Sequence, residues 1–168
     1  HRLDEVGIAA TRLNATVIQQ VLLDIGCDVA PVIPTTTTDA ASLMDVHHIV
    51  IMGGTTPGHT TDAVAVALAR DTGASHCIIA TNVSHVFDKD PRHNEDAISF
   101  STMSIDELAE ITGIGAPLAP GASAVIDPVA VGWAKSADLR LAVLDGRDLS
   151  LLEHALDGKP FDGTLILP

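Results

Sequence analysis

Ile49-Val50-Ile51-Met52-Gly53-Gly54-Thr55-Thr56-Pro57-Gly58-His59-Thr60-Thr61-Asp62-Ala63-Val64-Ala65-Val66-Ala67-Leu68-Ala69 decides the fold class. A continuous apolar run breaks off at two glycines, the pattern of a strand buried on both faces. A hydroxyl-rich loop follows, with Thr61 as a helix cap. The next eight residues are apolar on almost every side, so that helix belongs between layers and not on a surface. Strand, glycine loop and buried helix together make one unit of an α/β architecture.

The same grammar continues in both directions. Cys77-Ile78-Ile79-Ala80 reads as a second buried strand one helix later, joined by a right-handed parallel crossover. Leu141–Leu144 and Gly163–Leu167 read as further strands, and helices are expected near Ser104–Thr112, Val125–Ser136 and Leu149–Leu156. Upstream, Leu13, Val17, Val21 and Ile25 recur every four positions, which predicts an amphipathic helix from about Thr11 to Asp24, stopped by Gly26. A short extended piece (Val29 to Ile33) and a short helix (Ala40 to Asp45) fill the gap. The Pro/Gly-rich stretch Gly113–Gly121 reads as a long, mobile loop. With 168 residues and no repeats, a single domain over 1–168 is expected.

Composition narrows the partners. A formal charge of −13 disfavours nucleic acid and anionic membranes, which repel an acidic surface. It leaves nucleotides open, because backbone N–H groups and a helix amino terminus hold a phosphate locally, the more so with a divalent cation. Cys27 and Cys77 are too few and too far apart for a disulfide framework and read as packed thiols. No apolar run approaches the ~20 residues that span a bilayer, and no leader opens the sequence, so a cytoplasmic location is expected. The eight histidines show no ligand spacing that predicts a metal site.

In a parallel sheet, ligands sit beyond the carboxyl ends of the strands. The loop Gly53–Thr61 offers three glycines, four threonine hydroxyls and a helix amino terminus, the means to hold a phosphate. An ordinary threonine-capped turn explains those residues as well. A second loop, Thr81-Asn82-Val83-Ser84-His85-Val86-Phe87-Asp88-Lys89-Asp90-Pro91, carries donors, one aromatic plane and two carboxylates, fit for a nucleoside or for a polar turn ended by proline. Asp127 in Val125-Ile126-Asp127-Pro128 is either a helix cap before a first-turn proline or a catalytic carboxylate.

Gly53-Gly54-Thr55-Thr56-Pro57-Gly58-His59-Thr60-Thr61-Asp62-Ala63 resembles the UMP-binding loop of archaeal-type uridylate kinases, GGT-x-PGHTTDA, in the amino acid kinase family. Thr81-Asn82-Val83, Val86-Phe87 and Asp90-Pro91 are similar to that family's TNVDGVY-x-x-DP segment for ATP. Gly121-Ala122-Ser123-Ala124-Val125-Ile126-Asp127-Pro128 resembles its GSSSVIDP, and Gly163-Thr164-Leu165-Ile166 its closing GT-x-I. Asp4-Glu5-Val6-Gly7-Ile8 with Thr11-Arg12-Leu13-Asn14-Ala15 is similar to the helix at the UMP site.

The resemblance implies a three-layer α/β/α sandwich around a mostly parallel sheet, ATP-dependent conversion of UMP to UDP with Mg²⁺, and a homohexamer built from dimers. It implies that Asp4 holds the ribose of UMP, while Thr55, Thr56, Pro57, Gly58, His59, Thr60 and Thr61 wrap its base and phosphate. Thr81, Asn82, Phe87 and Asp90 would face ATP. Asp127 matches the carboxylate that orders the surroundings of the transferring phosphoryl group, chemistry dominated by positioning and charge stabilisation.

The sequence departs from the family pattern at Ser84-His85, which replaces Asp-Gly, and at Phe87, which keeps the ring of a tyrosine without its hydroxyl. The family's Gly-Gly-Ser and Gly-Gly-Gly loops do not occur in these 168 residues. The chain therefore reads as the carboxyl-terminal two-thirds of such an enzyme, incomplete for catalysis by itself, with roughly sixty residues expected ahead of it. The alternative reading is a non-catalytic nucleotide-binding protein, or a molybdate or tungstate storage protein, on the same fold.

Overall fold

Helix α1 (Arg2–Asp24) opens the structure, a computed structural model in which residues 2–114 and 126–168 are described. The chain falls into two compact units, His1–Gly73 and Ala74–Pro168.

In the first unit, α1 begins nine residues ahead of the helix expected from about Thr11. Its first turn carries Asp4 and Glu5, which suit the positive helix end. The apolar stripe reads out differently from expectation. Leu13, Val17 and Val21 are exposed, and the helix buries Ala15 and Gln19 instead. A small side chain lets the backbone approach closely, and Gln19 is satisfied because its Nε2 donates to Ala30 O at 2.7 Å. By length and composition α1 is also long and apolar enough to cross a membrane, which the sequence reading did not anticipate. Its polar bonds to the remainder of the first unit mark it as part of that unit's packing.

Helix α2 (Thr37–Met44) is capped by Thr36, whose side chain accepts from Asp39 N, and its first residue, Thr37, donates from Oγ1 to Asp71 Oδ2 at 2.6 Å. Asp71 lies in the last turn of helix α3 (Thr61–Thr72). As expected, α3 is buried around most of its girth, through Ala63, Val64, Val66, Ala67 and Ala69. Its cap is Thr60, not Thr61: Thr60 takes the extended conformation (φ −77°, ψ 167°) that lets its hydroxyl accept from Ala63 N. Gly73 ends the helix at φ +68°, a left-handed position that glycine adopts without strain.

The expected strand Ile49–Met52 shrinks to one parallel bridge between Val29 and Ile49. Ala30 N donates to Ile49 O at 2.9 Å and Ile49 N to Asp28 O at 3.1 Å, and Val50 to Met52 run on half-buried. Asp28, the next residue, gathers both histidines of the His47-His48 pair at 3.0 and 2.6 Å. Those bonds, His47 first, hold the Asp28 carboxyl down at about 2. Cys27 is only half-buried, so of the two expected packed thiols Cys77 alone is buried.

The second unit contains a mixed four-stranded sheet in the order β1 (His76–Thr81), β5 (Arg140–Asp145), β6 (Gly163–Leu167), β4 (Thr102–Ser104). Two of its three strand pairs are parallel; β5 and β6 run antiparallel. Leu141, Ala142, Val143 and Leu144 of β5, the strand expected there, are all buried, so that strand is covered on both faces. The expectation for Cys77–Ala80 is corrected: β1 is an edge strand, with Cys77 and Ile79 inward and Ala80 exposed.

Helix α4 (Ile105–Thr112) starts at a capping box, in which Ser104 Oγ accepts from Glu107 N and the Glu107 carboxylate accepts from Ser104 N. Helix α5 (Pro128–Ser136) starts three residues later than expected because Pro128 takes the first helical position behind Asp127. Helix α6 (Leu149–Leu156) and β6 fall where the sequence placed them. A two-residue hairpin, β2 (Val86–Phe87) with β3 (Ser99–Phe100), was not foreseen, since strands this short carry no periodic signal. Most of the expected loop Gly113–Gly121, and Gly121–Val125 of the GSSSVIDP-like stretch, lie outside the described residues.

Candidate functional site

Asp4, Gly7, Ile8 and Thr11 stand at i, i+3, i+4 and i+7 on α1 and so share one face. That face and the loop Gly54–Thr61 line a hollow of about 420 Å³, within the range of small-molecule sites. Leu3, Asp4, Gly7, Ile8 and Thr11 form one wall; Gly54, Thr56, Gly58, His59, Thr60 and Thr61 form the other. Six of the eight residues expected to hold UMP are thereby brought together: Asp4, Thr56, Gly58, His59, Thr60 and Thr61. Thr55 and Pro57 belong to the loop's frame, Thr55 through a carbonyl that accepts from α1.

The hollow opens on the amino terminus of α3, where the first-turn N–H groups lack helical acceptors and the helix dipole favours an anion. Gly58 sits at φ +89°, a left-handed turn position that admits glycine freely. A smaller hollow of about 210 Å³ adjoins it, lined by Met52, Val64, Ala65 and Leu68, and shares Thr11, Gly54 and Thr61 with it.

Two residues that the sequence reading assigned no role fix the loop to the helix. Thr11 Oγ1 donates to Ile8 O at 2.8 Å and accepts from Gly54 N at 2.8 Å. Arg12 Nε donates to Gly54 O at 3.1 Å. The helical spacing from Asp4 to Thr11 was the signal that could have found them. The closeness explains the glycine pair: a Cβ on Gly53 would lie 2.7 Å from Arg12 N, and one on Gly54 3.1 Å from Ile8 Cγ1.

In the second unit the residues expected to face ATP lie along the exit of β1 and the β2–β3 hairpin. Thr81 ends β1 opposite Asp145 at the end of β5. Arg147 Nη2 donates to Asn82 O at 3.3 Å while its Nε donates to Asp145 Oδ1 at 2.8 Å. The Arg147 side chain, followed by its backbone N–H, holds the Asp145 carboxyl at about 2. This Asp-Gly-Arg turn escaped the sequence reading because it looks like any polar strand exit.

Phe87 presents its ring to His85 edge-on, centroids 6.3 Å apart at 77°, and His85 Nε2 lies 3.6 Å from Asp162 Oδ1. The departure at Ser84-His85 therefore places an imidazole beside the ring expected to stack on a nucleoside. Asp90 is gripped within its own turn: Arg92 Nε donates to Oδ1 at 3.0 Å and Nη2 to Oδ2 at 2.9 Å. The Arg92 side chain keeps that carboxyl at about 2.

Thr164 anchors the hairpin from below. Fully buried, its Oγ1 accepts from Val86 N at 2.9 Å and donates to Phe100 O at 2.5 Å, so one hydroxyl pins both strands. Asp127 is buried at 6% exposure; its Oδ1 accepts from Val129 N at 2.8 Å and its carbonyl from Val131 N at 3.0 Å. It caps α5, as one of the two readings of the sequence held.

A sequence profile of the Amino acid kinase family matches residues 1–145. A uridylate kinase of Methanococcus vannielii is 41% identical over 165 residues, covering 98% of this chain and 71% of the relative. One from Methanospirillum hungatei is 42% identical over 163 residues, covering 97% and 67%. Among solved structures, uridylate kinase from Archaeoglobus fulgidus superposes with a TM-score of 0.81 at 34% identity, over 97% of this chain and 71% of that one.

Proposed function

The chain belongs to the amino acid kinase family, and from that premise we propose that it works as a uridylate kinase, moving the terminal phosphoryl group of ATP to UMP and releasing UDP for pyrimidine nucleotide synthesis. The observation that carries this reading is the hollow in which Asp4 on α1 faces the Gly54–Thr61 loop at the amino terminus of α3.

Asp4 is suited to accept hydrogen bonds from ribose hydroxyls, and the hydroxyls of Thr56, Thr60 and Thr61, with the α3 terminus, to hold the phosphate. Thr55 and Pro57 shape the loop, and His59 closes its rim. Thr81 and Asn82, the Phe87 ring and Asp90 receive ATP. Asp127 is the positioning carboxylate near the transferring group; its buried cap geometry fixes its side chain in one orientation, the condition for such a role. The single kinase-like domain expected over 1–168 is part of the proposal.

Among the described residues no cluster of three or more His, Cys, Asp or Glu is placed to hold a metal. The Mg²⁺ of the proposal travels with the ATP phosphates and needs no dedicated protein cage. Bound there, it would offset the negative charge that develops on the phosphoryl oxygens. A cytoplasmic homohexamer completes the proposal, supported by the outward apolar stripe Leu13, Val17 and Val21 on α1. The net charge of −13 speaks against nucleic acid or an anionic membrane as partner.

The test is direct. The full natural chain, given UMP, ATP and Mg²⁺, should produce UDP, and Asp127→Asn should lower turnover by about 100-fold while leaving UMP binding nearly unchanged. Normal turnover in that variant would remove Asp127 from the mechanism. UMP binding with no UDP formed would favour a non-catalytic binding protein.

A further inference from the structure

Arg12 stands one residue beyond Thr11 on the inner side of α1, half-buried. Its Nε donates to Gly54 O at 3.1 Å and its Nη2 reaches Thr55 O at 3.5 Å. Successive carbonyls of an extended chain point to opposite sides, so one planar fork that meets both requires the chain to turn between them. A guanidinium does this with less loss of freedom than an ammonium, because its donors are fixed in one plane at a set spacing on separate nitrogens.

Gly54 is thereby held from both ends of its backbone, its N–H by Thr11 Oγ1 and its C=O by Arg12. The loop also rests directly on the helix: a Cβ at Gly53 would meet Arg12 N at 2.7 Å and Arg12 Cγ at 2.9 Å. The same helix carries Asp4, Gly7 and Ile8 in the opposite wall of the hollow. Arg12 therefore acts with Thr11 in tying the loop to the helix that carries the other wall, and it alone of the two reaches on to Thr55 O. Its charge is directed at neutral carbonyls, bonds about twice as strong as those between neutral partners.

We propose that Arg12 is a positioning residue for the nucleoside monophosphate: by bonding Gly54 O and Thr55 O it holds the Gly54–Thr61 loop at the spacing the ligand needs, and so governs monophosphate affinity without touching the ligand. This rests on the kinase reading above.

The experiment compares wild type, Arg12→Met and Arg12→Lys in the full natural chain, measuring UMP affinity by calorimetry and KM and kcat for UMP and ATP. Methionine keeps the stem's packing and removes every donor; lysine restores the charge and three N–H donors on one nitrogen, without the planar fork. UMP Kd and KM should rise about 10- to 100-fold in Arg12→Met, with ATP KM unchanged and kcat at saturating UMP little altered. Arg12→Lys should recover part of the loss. UMP affinity equal to wild type in Arg12→Met overturns the inference, as does an equal rise in the KM of both substrates, which would mark general loss of structure. If Arg12→Met does not fold, Arg12→Lys decides by the same criteria, and wild-type UMP affinity there overturns the inference. Failure of the wild-type chain itself to bind UMP overturns the kinase reading, and this inference with it.

Discussion

The two units are held together by different means. Among the described residues, the buried apolar side chains of the first are alanines and valines, from Ala15 and Val29 to Val66 and Ala69, with Pro34 beside them. The second buries Leu108, Ile126, Leu141, Leu144 and Ile166 completely. A fully buried leucine or isoleucine contributes roughly 1.5–3 kcal/mol, several-fold more than an alanine methyl at about 0.8 kcal/mol per carbon. The first unit therefore depends on close backbone approach and on polar pins: Gln19 to Ala30, Thr11 and Arg12 to Gly54. The second depends on its core and carries the loop proposed to face ATP as a decorated hairpin. A site assembled from pins is easily loosened and gains the most order when a ligand fills it.

The contrast yields four expectations, the heaviest first. Leu141→Ala, at a fully buried position of β5, should cost about 2–5 kcal/mol in denaturant unfolding, with no selective effect on UMP. A small cost would mean the second unit is not core-driven. Gly53→Ala sets a methyl against the α1 backbone, which cannot yield as a side-chain tip can. UMP affinity should fall about 100-fold with ATP KM unchanged; an unaffected Kd would dissolve the idea that loop and helix are fitted to each other.

Thr164→Val keeps the shape but strands Val86 N–H in the interior, and should cost about 1–3 kcal/mol. ATP KM should rise and UMP KM stay constant, since only the hairpin loses its anchor. Last, acid. Asp28, Asp90 and Asp145 each titrate at about 2 in the folded protein, against 3.8 ordinarily. A depressed carboxyl stabilises the fold fully above its unfolded value and loses that contribution as pH falls through the folded one. Thermal stability should thus show no loss from these groups down to about pH 4 and decline toward pH 2. Because Asp28 is exposed and Asp90 and Asp145 are only half-buried, water screens these bonds and the decline should be shallow. Asp28→Asn should flatten the part of it that belongs to the first unit.

How much of this was legible beforehand depended on the length of each signal. Leu141–Leu144, Leu149–Leu156 and Gly163–Leu167 stand in the structure close to where their runs and bounding glycines place them. Helix α4, expected near Ser104–Thr112, runs from Ile105 to Thr112. The Gly53–Thr61 loop was legible as a candidate anion site, and equally as a threonine-capped turn, because glycines, hydroxyls and a helix start coincide in nine residues. What could not be read was direction. The stripe Leu13, Val17 and Val21 has the period of a buried face yet points outward, since periodicity says which residues share a side and not which side is covered. The Val50–Met52 run looked doubly buried but lies half-open, because an apolar run does not reveal its neighbours. Long-range pins such as Arg12 to Gly54, 42 positions apart, leave no local pattern at all.

The central claim is that UMP sits between the Asp4 face of α1 and the Gly54–Thr61 loop. Hydrogen–deuterium exchange of the full natural chain with and without UMP tests it most directly. We expect slower exchange in peptides covering residues 2–12 and 53–64, with peptides covering 82–100 responding to an ATP analogue and not to UMP. Protection by UMP elsewhere, with residues 53–64 unchanged, would contradict it.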